Sequence, residues 1–310
     1  MANSALSANI VKTAIDKVFF MSFSPEARPD HASVLDPLVF NQYGSDRSAE
    51  IVEELKSNGY WESKGESANV PAGISRTGNQ VTFTHTTFAR GEDITKEFFD
   101  DDQHQMVSKL ISEMAINGRQ TRELNGFATF RNAFTAGFTG GDGAILCGTH
   151  TLLSGGTQSN TGTAALSPDS LETGIVNLAE QKSQAGVVMG ILPRCLLVPS
   201  ALYREAVQIT ESKLEANTAN NEVNVYSSKY GLVVKQSPFI GTAGGGNGTN
   251  TMWFLLGNMH GLERYERESI NTRLVGWEDS RSDSYFYKAR YRESVGWGSH
   301  LGIYGSQGTT

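Results

Sequence analysis

The stretch "EDITKEFFDDDQHQMVSKLISEMAINGRQTRELNGFATFRNAF", residues 92–134, constrains the fold more than any other part of the chain. Val107, Leu110, Ile111 and Met114 recur at helical spacing and mark one apolar face. Leu124, Phe127, Phe130 and Phe134 continue that spacing beyond Gly118. The pattern predicts a helix long enough to be the backbone of its domain, interrupted at Gly118 or Gly126. Asp100, Asp101 and Asp102 stand where the positive end of a helix macrodipole favours carboxylates, so they read as its start. A cation site is the competing reading of the same run.

The segments before this helix are poorer in apolar residues. In "ESANVPAGISRTGNQVTFTHTTFAR", residues 66–90, Val81, Phe83 and His85 alternate with threonines at the period of a strand, and "RTGNQ" supplies a turn. A long β-hairpin follows from this. A lone two-stranded hairpin is marginal in water, so it must lie on another surface. Residues 4–20 carry Leu6, Ile10, Val11, Ala14, Ile15 and Val18 at the spacing of an amphipathic helix, followed by the proline-punctuated connector "SFSPEARPDHAS". A terminal helix on a strap is an arm that orders only when docked. Residues 47–58 read as a second short helix, closed by "NGYW".

Beyond the long helix, residues 139–167 form a Gly-, Thr- and Ser-rich loop with one short strand expected at 144–148. Ser167 and Pro168 then supply the cap and first turn of a helix with Leu171, Ile175, Leu178 and Ala179 inward, and Gly186 as its stop. A buried strand, "ILPRCLLVP" (191–199), and a helix from Ser200 with Leu202, Ala206 and Ile209 inward come next. Strands are expected at 222–227, 231–236, 251–257 and 283–294, with a last one near 301–304. No internal repeat is visible.

Several classes of function are disfavoured at this point. The net charge is −7, whereas a protein that grips duplex DNA presents a basic face to the phosphates. Only the 273–292 region is locally basic (Arg273, Arg281, Lys288, Arg290, Arg292), and on an acidic chain these read as partners for acids across interfaces. The most apolar run, 185–199, is broken by Pro193 and Arg194 short of the ~20 residues a membrane span needs. The first residues lack the basic start and unbroken apolar run of a secretory signal. Two cysteines are too few for a disulfide scaffold and suit a reducing compartment, with one bridge between them left open. Charged residues make up 19% of the chain, below the usual ~25%, which suggests a surface covered by copies of itself.

One stretch looks chemical. "GDGAILCGTH", residues 141–150, holds Asp142, Cys147 and His150, the types needed for an orienter, a thiol nucleophile and a base. No catalytic signature surrounds Cys147, and the stretch reads better as a glycine-rich corner with a buried thiol and a hydrogen-bonded histidine. Closed zinc sites need four ligands. The Cys-x-x-His pair supplies two, leaving Cys195 and the scattered His31, His85, His104, His260 and His300 to complete it. "GTAGGGNGTN" (241–250) lacks the Lys-Ser/Thr of a phosphate loop and reads as an ordinary loop. No catalytic residue, metal or cofactor is expected.

Taken in order, "FARGEDITKEFFDDD" (88–102), "GDGAILCGTH" (141–150), "SLETGIVNLAEQKSQAG" (170–186), "PRCLLVPSALYREAVQI" (193–209), "WFLLGNMHGLERYERES" (253–269) and "SDSYFYKARYRESVGWGSHLGIYGS" (282–306) resemble the major capsid proteins of tailed bacteriophages, in the branch of the Mu-type major head subunit. The resemblance implies an α+β fold of the Hong Kong 97 type. It places an N-terminal arm at 1–46, a short helix and extended hairpin loop at 47–92, and a peripheral domain with its spine helix at 93–185. An axial domain would take 186–281, and 282–310 would supply the peripheral return strand and a C-terminal axial segment. It further implies self-assembly into pentamers and hexamers of an icosahedral head. The partners would be a scaffolding protein, a maturation protease, a portal and weakly contacted double-stranded DNA, with no membrane. Assembly would occur in the host cytoplasm and the product would be the virion. Because the chain opens directly on the arm, a scaffold is expected as a separate protein or one already removed. Arg76, His85 and Arg90 of the hairpin, with Asp100, Asp101 and Asp102, are the assembly candidates. The rival readings are an encapsulin-like compartment of the same fold and a Cys/His hydrolase.

Overall fold

The N-terminal apolar spacing becomes helix α1 (Ala2–Phe23), whose Ile15, Phe19 and Phe23 are buried. The computed structural model describes residues 2–24, 29–56, 58–73, 75–101, 105–212, 226, 230–275 and 284–309. From residue 29 a strap leads into strand β1 (Asn41–Gly44), then β2 (Ala49–Lys56), β3 (Arg76–Thr84) and β4 (Thr86–Thr95). Short helix α2 (Lys96–Asp100) precedes the spine helix α3 (Met106–Gly126) and a single turn, α4 (Ala128–Arg131). Small strands β5 (Thr149–Thr151), β6 (Thr157–Ser159) and β7 (Thr161–Gly162) follow, then α5 (Pro168–Glu180), β8 (Pro193–Val198) and α6 (Tyr203–Glu211). The chain ends through β9 (Val233–Gln236), β10 (Trp253–Gly257), the two long strands β11 (Leu262–Val275) and β12 (Ser284–Trp297), and β13 (Ile303–Ser306).

These elements build a four-stranded sheet in the order β1-β11-β12-β4 and a five-stranded sheet in the order β7-β13-β10-β8-β9. Helices α1 and α3 cover the first, joining Phe19, Phe23, Ile111 and Met114 to Ile94 and Tyr287 in one apolar cluster. Helices α5 and α6 cover the second, with Leu171, Ile175, Leu178 and Ala206 packed on Leu196, Trp253 and Leu255. Phe127 and Phe130 at the end of the spine, Val34 and Phe40 of the strap, and Leu197 and Phe254 of the five-stranded sheet form a third cluster. The mixed α+β architecture agrees with the sequence reading. So does the cap of α5, where Ser167 and Ser170 exchange hydrogen bonds with each other's backbone N–H.

Four expectations are corrected. Residues 47–58 are not helical: Ala49–Lys56 form β2, paired antiparallel with β3 through Val52↔Val81 and Glu50↔Phe83. Glu-rich "AEIVEELK" has fair helix propensity, but cross-strand pairing overrides it. The hairpin is therefore β2–β3, with residues 58–73 forming an excursion between them, while β4 pairs with β12. "RTGNQ" lies inside β3, and Gly78 marks a close approach: a Cβ there would stand 2.3 Å from Leu153 Cδ1. The spine begins at Met106, so Asp100 closes α2 and Asp101 is its C-cap, both exposed and at the end where the dipole disfavours carboxylates. Asp102 lies outside the described residues. The strand expected at 144–148 is reduced to one bridge, Thr139↔Ile145, and the pairing falls to β5 and β6. Of the expected 222–227 strand only Tyr226 is described. The spine runs unbroken through Gly118 and ends at Gly126.

Gly126 is where the strap crosses the spine. A Cβ there would lie 2.2 Å from Val34 Cγ2 and 3.0 Å from Cγ1, and Val34 is fully buried. Alanine favours a helix over glycine by about 1 kcal/mol, but the overlap outweighs that gain. Gly126→Ala is expected to destabilise the subunit by about 1–3 kcal/mol, measured as a lower midpoint in urea with an unchanged slope.

Candidate assembly interface

The glycine-rich corner divides its chemistry between two places. Cys147 is buried in the apolar cluster with Phe127, Phe254 and Cys195. Burial pushes its thiol far above the ordinary range and that of Cys195 up to about 12, and both are free. His150 instead meets Asp142, its Nδ1 lying 2.6 Å from a carboxylate oxygen, and its ring stacks on that of His300 at 3.7 Å between centroids and 7° between planes. Burial alone would raise Asp142, but hydrogen bonds from His150 and the Ala144 N–H outweigh it and hold the carboxyl below its usual value. His300 Nε2 accepts from the Gln158 amide at 2.7 Å. Burial, with His150 beside it, pulls its pKa down to about 3. Asn160 ties this corner to β13, donating to the carbonyls of Leu146 and Ile303 at 2.9 and 3.1 Å while accepting from the Gly148 N–H at 2.9 Å.

The ligand atoms of Asp142, His150 and His300 lie within 4.8 Å of one another. They do not converge on an ion. Imidazole lone pairs lie in the ring plane, and two parallel stacked rings direct them along separate planes, whereas a zinc ion sits ~2.0–2.1 Å from each nitrogen along its lone pair. The His150 nitrogens face Asp142 and the Leu146 carbonyl, and His300 Nε2 is taken by Gln158. The cluster is a packing joint between the corner and the β12–β13 connection.

A second polar cluster lies between spine and sheet. Arg264 on β11 donates to Glu293 of β12 at 2.9 Å, to Glu266 at 2.7 Å and to Gln42 of β1 at 2.9 Å, with a second guanidinium nitrogen 2.7 Å from the Glu293 carboxylate in an ion pair. Arg122 of the spine forms an ion pair with the same Glu293 at 3.4 Å, its guanidinium 4.6 Å from the Tyr291 ring and 5.0 Å from that of Phe23. Next to it, Glu123 accepts from Ser33 Oγ at 2.6 Å and the Val34 N–H at 2.9 Å, fastening the strap. Burial raises the Glu123 pKa despite those bonds.

The outer surface carries apolar groups that the subunit leaves uncovered. Trp61 is 100% exposed, Val70 76% and Tyr60 67%, all in the excursion between β2 and β3, and Ile51 and Leu55 point outward from β2. Such clustered exposure marks an interaction surface. Between α1, α3 and the β4–β12 edge lies an open groove of about 540 Å³ floored by Phe19, Phe23, Met114 and Tyr291. Of the hairpin candidates, Arg76 and Arg90 are exposed, Arg90 standing 3.4 Å from Glu92. His85 is enclosed within the subunit, hydrogen-bonded to Ser45 and Ser294 at 2.9 and 3.0 Å. In the basic stretch, Arg290 pairs with Glu268 at 2.6 Å, Arg273 and Lys288 stand opposite each other across β11 and β12, and Arg281 lies outside the described residues. Tyr60 and Trp61 have no signal of their own in the sequence, where "NGYW" closes the helix expected at 47–58.

A family model described as phage capsid protein matches residues 78–306. No curated protein matches the chain. Among solved structures, the fold is similar to a chain of Mycobacterium phage Ogopogo, at 14% identity and a TM-score of 0.51, covering 91% of this chain and 94% of that one. It is similar to the mature capsid of bacteriophage PhiM1 at 8% identity and a TM-score of 0.58, covering 91% and 89%. It also resembles a virus-like particle from Pyrococcus furiosus at 10% identity and a TM-score of 0.53, covering 94% and 98%. At these identities the likeness speaks for the fold, which is of the Hong Kong 97 type.

Both polar clusters yield measurable expectations. Glu293→Ala removes the carboxylate that two buried guanidiniums share and is expected to cost about 3–5 kcal/mol, against less than ~1 kcal/mol for the half-exposed Glu268→Ala, both read by urea denaturation. For His300 the folded pKa is about 3 against an ordinary 6.5, so the unfolded chain takes up a proton through that window while the folded one does not. Its contribution is therefore a loss of stability as pH falls from 6.5 toward 3, of up to about 1.4 kcal/mol per pH unit. His300→Asn is expected to flatten the fall of melting temperature with acid by up to one proton's worth.

Proposed function

The chain belongs to the phage capsid protein family, and on that premise we propose that it is the major subunit of an icosahedral head that encloses double-stranded DNA. It is a structural capsid protein. The observation that carries the finer reading is the excursion of residues 58–73 with its uncovered Trp61, Tyr60 and Val70. These residues have too little apolar company in their own subunit to be buried, so burial must come from neighbouring copies. A shell needs one chain to close both fives and sixes, which asks for rigid packed layers bearing extended elements that adapt.

In this reading residues 1–46 are the arm, 47–92 the extended loop, 93–185 the peripheral domain and 186–281 the axial domain, with 282–310 returning through both. The close order of "FARGEDITKEFFDDD", "GDGAILCGTH" and the later segments supports the Mu-type branch. Arg76 and Arg90 are retained as contacts between subunits, with Asp100 and Asp101 as acids within reach of a neighbour's basic stretch. His85 is reassigned to holding the β3–β4 junction against β12 and the segment that follows β1. The acidic balance of −7 suits a wall that must not grip the genome, because each phosphate neutralised would add salt-sensitive affinity. Scaffold, maturation protease and portal are the partners, assembly takes place in the host cytoplasm, and the subunit has no catalytic activity. The buried, strongly protonated Cys147 is unsuited to act as a nucleophile.

The likeness to the Pyrococcus furiosus virus-like particle favours one second reading, an encapsulin-like compartment. Purified particles separate the two. Nuclease-resistant double-stranded DNA inside, with no co-purifying enzyme, is the expected result; a stoichiometric protein cargo and no DNA would establish the compartment instead.

A further inference from the structure

Four asparagines of the chain are followed directly by glycine: Asn58–Gly59, Asn117–Gly118, Asn125–Gly126 and Asn247–Gly248. In such a pair the glycine nitrogen can attack the asparagine Cγ, because no Cβ shields it and glycine reaches the turned main chain that ring closure needs. The reaction requires a main-chain N–H that is not already donated and a side-chain amide able to swing toward it. The fold grants both to one pair and withholds them from three.

Asn117 and Asn125 lie in α3, where the nitrogens of Gly118 and Gly126 donate along the helix. Asn125 also donates its amide to the Thr121 carbonyl at 2.9 Å. Asn247 donates its amide to Asn132 Oδ1 at 2.9 Å, and the Gly248 N–H donates to the Gly245 carbonyl at 3.4 Å. Gly248 is also pressed against main chain, since a Cβ there would stand 2.5 Å from the carbonyl oxygens of Ile240 and Gly241. Asn58 differs at each point. It is exposed at the root of the excursion between β2 and β3, and Gly59 follows it in the left-handed region at a φ of +84°. Among the described residues the Gly59 N–H meets no acceptor. The Asn58 amide is held from its oxygen side, where Ser75 Oγ donates to Oδ1 at 3.2 Å. A donor at that oxygen withdraws electrons from Cγ and stabilises the negative charge that builds on Oδ1 as Cγ is attacked.

We propose that Asn58 is a self-modification site, converted to aspartate and isoaspartate by its own main chain with Ser75 as the activating donor. Solvent hydroxide takes the Gly59 N–H proton as that nitrogen bonds to Cγ. The Cγ–Nδ2 bond then breaks, the nitrogen takes a proton from water and leaves as ammonia, and a succinimide ring remains. Water opens the ring at either carbonyl. Cleavage at Cγ gives aspartate in an ordinary chain, and cleavage at the Asn58 main-chain carbonyl leaves the chain running through the side chain as isoaspartate. Either product puts a new carboxylate at the root of the excursion, and isoaspartate lengthens the main chain by one methylene just before Tyr60 and Trp61, both exposed. The reaction needs only the folded subunit and water, and so stands apart from the shell reading.

The test incubates the folded full chain at mildly alkaline pH and maps it by peptide mass spectrometry, with enzymatic methylation to count isoaspartate. Deamidation is expected at Asn58, with the other three pairs about tenfold slower or more, whereas in concentrated urea all four should react at comparable rates. Ser75→Ala, at an exposed position, should keep the native melting temperature and slow the reaction about two- to tenfold, the weight of one hydrogen bond. Ser75→Thr, which keeps the hydroxyl, should restore the rate. An Asn58 that stays intact in the folded chain while the urea-unfolded chain reacts would overturn the site, as would equal rates at Asn58 and Asn247 in the folded chain. A Ser75→Ala chain that reacts as fast as the native one would overturn the role of Ser75.

Discussion

The Glu293 carboxylate is the point on which the rest of the subunit depends. It sits between Arg264 and Arg122, and through them it joins the middle of the four-stranded sheet to the spine helix. Arg264 carries the link on to Gln42 and β1, and Arg122 carries it to the Phe23 ring of α1. Glu123, one residue along the spine, fastens the strap at Ser33 and Val34. A buried carboxylate without partners would cost far more than its neighbours could offset, so the five elements can meet only in the arrangement that supplies both guanidiniums. Burial with that carboxylate nearby also pushes Tyr291 up to about 12, a sign of how little water reaches the cluster.

Around this layer the structure places elements that the subunit itself leaves uncovered. The long β11–β12 pair carries half-covered charges along much of its length, and the excursion between β2 and β3 carries Trp61 with nothing over it. The corner at 141–160 is held differently, by Asn160, the Asp142–His150 bond and the stacked His300. It is satisfied internally, with each polar group answered by another of the same chain. The residues that look most chemical therefore belong to the interior, and the ones left on the surface are plain, exposed apolar side chains.

Much of the core was legible in the sequence because burial leaves a periodic trace. The spine face at Val107, Ile111 and Met114, the Ser167–Pro168 helix start and the apolar strands at 193–198 and 253–257 all follow from spacing and capping. What escaped was set by pairing between distant segments. Residues 49–56 have helical composition and became a strand because Val81 and Phe83 lie alongside. Strand β11 alternates charges whose partners are on β12 and β1, so its sequence shows no apolar stripe. The same limit applied to the corner: Cys147 drew attention as the neighbour of His150, while the true partner, His300, is far along the chain and brought back by β12. Trp61 carries no periodic signal at all, since a residue exposed in a loop packs against nothing in its own fold that would impose a period.

As a capsid subunit, this chain is completed by copies of itself in a closed shell. Negative-stain microscopy of the expressed chain, alone and with a co-expressed scaffold, is the decisive measurement. Closed, uniform shells or the rings from which they are built are the expected result. A folded chain that stays strictly monomeric under every assembly condition, scaffold included, would contradict it.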